Sequence, residues 1–286
     1  MAKHISKNGK VYYSSDSNKA VRSAFTGTKG KELDFRTDAE ISEKLNKRFD
    51  VLNLLTNQCI SGSARSLIVY GPAGVGKSYG VETALESADC IHTIVKGFST
   101  KIGLLRTLYR YRHPGNVIVF DDCDAVLYDE TCLGLLKAVC DTTDKRTVSY
   151  MTNATIYPED DELNAIPPTF EFEGTVIFIT NTDFENPKPR LAEHTAAMIS
   201  RSHYIDLQMK SKRDYIVRIK QVIAQGLFNS LNLTEAQSVD VVRYIEDNTN
   251  ELRELSLRVA LKIGGLRKDS PDNWMDIADI TVKRNG

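Results

Sequence analysis

The chain has 286 residues, with 37 Lys and Arg against 38 Asp and Glu, and a net charge of −1. That balance excludes a surface that coats nucleic acid by charge alone, and the composition is that of a soluble globular protein with core enough for one large domain or two modest ones. No apolar run approaches membrane-spanning length, and Met1-Ala2-Lys3-His4 leads into polar sequence rather than a leader, so a cytoplasmic protein is expected.

The first 31 residues carry Lys3, Lys7, Lys10, Lys19, Arg22, Lys29 and Lys31 against only Asp16. With Ser, Asn and Gly interleaved, residues 1–37 read as a basic polar arm, either solvated or touching nucleic-acid phosphates or a neighbouring subunit. Val11-Tyr12-Tyr13 has the composition of a short strand or a stacking patch. From Asp38 to Gln58, Ile41, Leu45, Phe49, Leu52 and Leu55 form the apolar stripe of a helix.

Ser66-Leu67-Ile68-Val69-Tyr70 then reads as a buried strand entering Gly71-Pro72-Ala73-Gly74-Val75-Gly76-Lys77-Ser78. This octet matches G-x-x-x-x-G-K-[ST], the loop whose glycines turn successive N–H groups toward nucleotide phosphates. Lys77 would reach the β- and γ-phosphates, and the Ser78 hydroxyl would complete a Mg²⁺ shell. Val81, Ala84, Leu85 and Ala88 follow at helical spacing, so a helix N-terminus faces the anion. Nucleotide binding follows from strand, loop and helix agreeing.

Residues 91–95 read as a second strand, and Ser99 or Thr100 caps a helix carrying Ile102, Leu105, Leu108 and Tyr109. Pro114-Gly115 turns the chain into Val117-Ile118-Val119-Phe120-Asp121-Asp122, a central strand that ends in acid about forty residues beyond the phosphate loop. Asp121 would orient the Mg²⁺ shell and Asp122 would polarise the attacking water, while Asp124 reads as a cap for the next helix. Leu133, Leu136 and Val139 mark that helix, and residues 146–152 and 170–172 are short strands around a long loop. Residues 175–179 and 204–207 are further strands. Strands alternating with helices imply a parallel α/β sheet covered on both faces. Beyond Leu207 the pattern is purely helical, with helices expected near 212–228, 234–248, 250–263 and 272–283.

This order of motifs resembles the AAA+ ATPase module, most closely a group of small phage-encoded AAA+ proteins. The resemblance covers residues from about 38 to the end. It implies a P-loop NTPase with a three-layer parallel sheet in residues 38–208 and an all-helical lid in 209–286. It also implies ATP and Mg²⁺ as cofactors. Asn181, directly after Ile179-Thr180, matches the sensor 1 position, which positions water near the γ-phosphate. Arg201, in Ser200-Arg201-Ser202, matches an arginine finger that stabilises charge in a neighbour's site, and the Ser-Arg pair resembles the clamp-loader version. Arg190 is a second finger candidate. Arg258, in Leu255-Ser256-Leu257-Arg258, matches the sensor 2 arginine that folds over the nucleotide, with Arg253 as the alternative. Lys96-Gly97-Phe98 stands where hexameric members carry a central-pore loop, and a Phe98 packed in the core is the competing reading.

Two departures stand out. The usual catalytic glutamate is here Asp122, one methylene shorter, which suits slow or switch-like turnover. Residues 153–167 contain Glu159, Asp160, Asp161 and Glu162 with no lysine or arginine, so this segment is expected to contact a protein or solvent rather than phosphates. No Cys or His spacing makes a zinc-type site. A homo-oligomeric ring, of hexamer size in many members, is implied. Remodelling of DNA complexes in phage replication, with DNA or a replication protein as partner, is the leading role. A protein unfoldase and a low-turnover assembly module are the alternatives.

Overall fold

A computed structural model describes residues 2–5, 11–14, 36–161, 163–187 and 192–284. The chain divides into two units, Met1–Thr37 and Asp38–Gly286. In the first, β1 (Ala2–Ile5) pairs antiparallel with β2 (Val11–Ser14), so the Val11-Tyr12-Tyr13 run is indeed a strand.

The second unit opens with α1 (Asp38–Ile60), which buries Ile41, Leu45, Phe49 and Leu52 at helical spacing. Then follow β3 (Ser66–Tyr70), α2 (Lys77–Ser87), β4 (His92–Lys96) and α3 (Lys101–Arg110). Thr100 caps α3 by accepting from Gly103 N. β5 (Val117–Asp121) leads through a 3₁₀ turn to α4 (Glu130–Val139), and β6 (Thr147–Ser149) pairs antiparallel with β7 (Thr169–Glu171). β8 (Thr175–Thr180), α5 (Ala192–Ile199) and β9 (His203–Asp206) complete the sheet portion.

Five of these strands form one parallel sheet in the order β4-β5-β8-β3-β9. β5 and β8 are buried along their whole length because helices cover both faces, which is why they read as unbroken hydrophobic runs. One face packs Ile118, Phe120 and Phe178 against α3 and α4, and the other packs Leu67, Val69 and Ile177 against α1 and α2. β3 lies between β8 and β9, while the chain leaving it crosses to the far edge at β4. The phosphate loop therefore starts where the winding reverses, at the carboxyl ends of the strands.

Four helices follow: α6 (Lys212–Ala224), α7 (Glu235–Asp247), α8 (Leu257–Asp269) and α9 (Trp274–Val282). They bury a separate core that includes Ile219, Phe228, Val241, Ile263 and Trp274. The helix expected near 250–263 begins instead at Leu257. Leu252 bridges to Lys283 as extended chain, and the Ser256 hydroxyl accepts from Val259 N as the N-cap.

The segment between β6 and β7 is not a free loop. Tyr150 N donates to Pro168 O at 2.8 Å and Ile166 N to Ile156 O at 2.7 Å, closing it into a folded insertion with Ile156 and Ile166 buried. Arg106 Nε donates to Tyr157 O at 2.8 Å and Arg110 pairs with Asp160 at 3.2 Å, so α3 anchors its acidic stretch. Gly174 joins this insertion to β8, and both Glu173 N and Gly174 N donate to Arg112 O. A Cβ at Gly174 would press into the Tyr111 carbonyl oxygen and lie 3.1 Å from Asn116 O. Gly174→Ala is expected to cost about 1–3 kcal/mol by overpacking, measured as a lower urea midpoint at unchanged slope. An unshifted midpoint would disprove that close approach.

Candidate functional site: a phosphate loop closed by a helical lid

Gly74 and Gly76 have φ values of 71° and 101°, the left-handed region that glycine enters without strain. The turn they make ends in α2, whose first residue is Lys77. The Lys77 side chain is buried, and its Nζ donates to Gly71 O at 2.6 Å, Pro72 O at 2.9 Å and Asn181 Oδ1 at 2.7 Å. Burial pushes the ammonium down to about 8, against the pull of Asp122 and Asp121.

Three strand ends converge on this lysine. Asp121 closes β5, and its Oδ1 accepts from Ser78 Oγ at 3.0 Å, so the two residues expected to share a Mg²⁺ shell are already neighbours. Asn181 follows β8 and donates through Nδ2 to Asp122 Oδ1 at 2.8 Å. Lys77, Asn181 and Asp122 thus form one continuous chain of hydrogen bonds. Asp122 adopts φ 50°, which aspartate tolerates better than most residues. Burial raises its carboxyl above the ordinary range.

Asp124 does not cap a helix, contrary to the sequence reading. It accepts from Thr180 Oγ1 at 2.8 Å and Thr182 Oγ1 at 2.6 Å, fastening the end of β8 to the turn after β5. That tie holds Asn181, between the two threonines, against Asp122.

The helical lid lies directly on the loop. Leu257 N donates to Gly74 O at 2.8 Å, and a Cβ at Gly74 would stand 2.7 Å from the Ser256 Cβ. Between loop and lid is a cleft of about 780 Å³, in which Lys77, Ser78, Asp122 and Arg258 face Val222, Leu257 and Leu261. A lining that combines two cations with several apolar side chains suits a ligand with a phosphate chain and an aromatic base. Arg258 lines this cleft, whereas Arg253 is tied elsewhere, its Nε donating to Lys283 O at 2.7 Å.

Arg201 is not in the cleft. Ser66 Oγ, at the start of β3, donates to Arg201 O at 3.2 Å, so Arg201 sits at the opposite edge of the sheet from its own phosphate loop. Five residues of strand put roughly 16 Å between those edges. Its NH1 donates to Ala197 O at 2.9 Å, and its Nε lies 3.8 Å from Asp141. Arg190 and Glu162 lie outside the described residues. Phe98 is 73% exposed, which rules out the core-packed reading.

Sequence reasoning placed Lys96 only at the pore-loop position, without its link to Asp121, and passed over Arg218. Lys96 pairs with Glu82 at 2.8 Å and with Asp121 at 3.6 Å. Its strand-end register opposite Asp121 becomes visible only once β4 is paired with β5. Arg218 stands beside Val217, Ile219 and Val222 on the buried side of α6, and a charge among apolar helix positions was the available signal.

The residues present fit Mg-nucleotide: a turn whose Gly74 and Gly76 take left-handed torsions, a buried ammonium hydrogen-bonded to neutral oxygens, and a hydroxyl beside a carboxylate. A parallel sheet of this order, with a phosphate loop at its switch point and four helices after it, is a P-loop NTPase fold. The chain belongs to the family of an uncharacterised 36.7 kDa protein from the nrdC-mobD intergenic region of Enterobacteria phage T4, with 35% identity over 247 residues, spanning 84% of this chain and 74% of that protein. No family model matches it. Among solved structures it is similar to the RuvB Holliday junction branch migration motor of Thermotoga maritima, at 12% identity and TM-score 0.47, covering 85% of this chain and 65% of that one. A point mutant of that motor aligns at 10% identity and TM-score 0.49, over 83% and 69%. This chain thus spans about 65% of the length of the first of these. No helix among the described residues is long and apolar enough to cross a membrane.

Burial holds the pKa of Lys77 at about 8 in the free protein, and phosphate bound beside it would restore the charge. Binding should therefore take up close to one proton at pH 9 and almost none at pH 7, and affinity should fall by up to about tenfold per pH unit above 8. Calorimetry in two buffers of different ionisation enthalpy reads this directly, and no uptake at pH 9 would refute the buried-lysine account.

Proposed function

We propose that the protein is an ATPase of AAA+ type that works as a homo-oligomer and remodels a macromolecular complex. The observation that carries this reading is the Lys77–Asn181–Asp122 chain of hydrogen bonds beside the Ser78–Asp121 pair. Together they provide a phosphate cation, a metal shell and a water-polarising carboxylate. Mg²⁺ held by Ser78 and Asp121 would neutralise charge on the phosphates. Lys77 and the N–H groups of residues 74–78 hold the phosphate chain, and Arg258 approaches it from the lid. Asp122 takes the proton of the attacking water, and Asn181 orients that carboxylate. Arg201 cannot reach its own cleft from the far sheet edge, so it serves a neighbouring subunit, which makes the complete site a shared one.

For the macromolecule moved, we propose a DNA complex of phage replication, supported by the kinship with a phage protein and by the seven cations of the N-terminal arm. A second reading, an ATP-dependent assembly module with little turnover, is favoured by the short Asp122 side chain and its hold by Asn181.

Lys77→Ala should abolish nucleotide binding, and sizing should show ATP-dependent assembly. Arg201→Ala and Asp122→Asn subunits, each inactive alone, should regain part of the ATPase rate when mixed, because a mixed interface pairs an intact finger with an intact Asp122. No recovery on mixing, with assembly intact, would rule out the shared site. Stimulation of the ATPase by an unfolded polypeptide and not by DNA would rule out the DNA role.

A further inference from the structure

Arg218 is buried to 8% exposure in α6, on the lid side of the phosphate loop. Its guanidinium carbon lies 3.4 Å from the centre of the Phe49 ring, and its Nε donates to Val75 O at 3.3 Å, a long bond. A terminal nitrogen stands 3.4 Å from where a Cβ on Gly76 would be, so the cation abuts the residue just before Lys77. Among the described residues Arg218 forms no ion pair. Asp214, one turn earlier on α6, is turned away to accept from Lys210 N at 2.8 Å and from Ser211 Oγ at 3.0 Å. Burial alone pushes the guanidinium down to about 10, with no acid opposing it.

A desolvated cation without an anion is costly, and one aromatic face and one long hydrogen bond do not replace a carboxylate. A merely structural arginine at this buried position would be better served by an apolar side chain. The arrangement makes sense if the anion arrives with the ligand. We propose that Arg218 is a countercharge for the phosphates of bound nucleotide, acting through the loop from behind while Lys77 and Arg258 act from within the cleft. This rests on the nucleotide-binding reading above and adds a second lid cation to it. Because the guanidinium does not line the cleft, its effect is electrostatic and grows with the number of phosphate charges. It stabilises a triphosphate more than a diphosphate and is indifferent to the base. The buried surroundings make it insensitive to salt, unlike a surface arginine.

The test compares the full chain with Arg218→Met, Arg218→Lys and Lys77→Ala, measuring affinity for ADP and for a non-hydrolysable ATP analogue, with Mg²⁺, together with the melting temperature of the free protein. Arg218→Met should weaken the triphosphate analogue roughly tenfold and ADP by less, without lowering the melting temperature of the free protein. Arg218→Lys should keep most of the preference for the triphosphate. Equal losses for both nucleotides alongside a lower melting temperature would make Arg218 a packing residue and overturn the inference, as would unchanged affinities. If the Met variant fails to fold, Arg218→Gln carries the same comparison. Should Lys77→Ala bind nucleotide normally, the phosphate-loop reading itself fails. Should Lys77→Ala lose binding while position 218 has no effect, only the countercharge falls.

Discussion

A buried ammonium needs acceptors on every side, and the geometry of this protein is organised around giving them to Lys77. Two come from the loop itself, at Gly71 O and Pro72 O, and the third from Asn181 at the end of a different strand. The loop cannot satisfy the lysine unless β3 and β8 are adjacent and in register, with Tyr70 opposite Thr180. Asn181 in turn fixes Asp122, and the Asp124 tie to Thr180 and Thr182 fixes Asn181. The order of the sheet and the arrangement of the site are therefore one constraint. All three acceptors on Lys77 are neutral oxygens, so its charge is only partly compensated and phosphate oxygens improve on them.

The lid extends the same logic. Leu257 N bonds to Gly74 O, and Ser256 occupies the space that any side chain at position 74 would need. The loop therefore forms the cleft's polar floor on one side and the lid's footing on the other. Arg258 at the start of α8 lines the cleft, and Arg218 within α6 abuts the loop at Gly76, so both bring positive charge from the helical part to the phosphate loop.

The insertion between β6 and β7 shows where sequence pattern ran short. Its run of acids and its missing lysines read as a partner-protein contact or a solvated loop, and no pattern showed that Ile156 and Ile166 anchor it in the core or that α3 holds its acidic stretch. Two apolar residues ten positions apart carry no periodicity, so only the folded pairing shows their role. The start of α8 was misjudged for a related reason. Residues 250–256 have helical composition, but Leu252 is engaged by Lys283, a contact between residues far apart in sequence.

By itself the sequence determined the phosphate loop, the acidic strand end, the central strands and the helical tail. These are local patterns: glycine spacing sets backbone torsions, and unbroken hydrophobic runs mark strands buried on both faces. It also named Asp121, Asp122, Asn181 and Arg258 singly. Only the tertiary structure decided how they meet, because β5, β8 and α8 supply them from three separate places in the chain and the sheet order is set by long-range pairing. It placed Arg201 away from its own cleft, turned Asp124 from a helix cap into a tie between strands, and set Arg218 against the loop without a carboxylate. Charge in a low-dielectric interior is governed by what surrounds it in space, and no run of neighbouring residues records that.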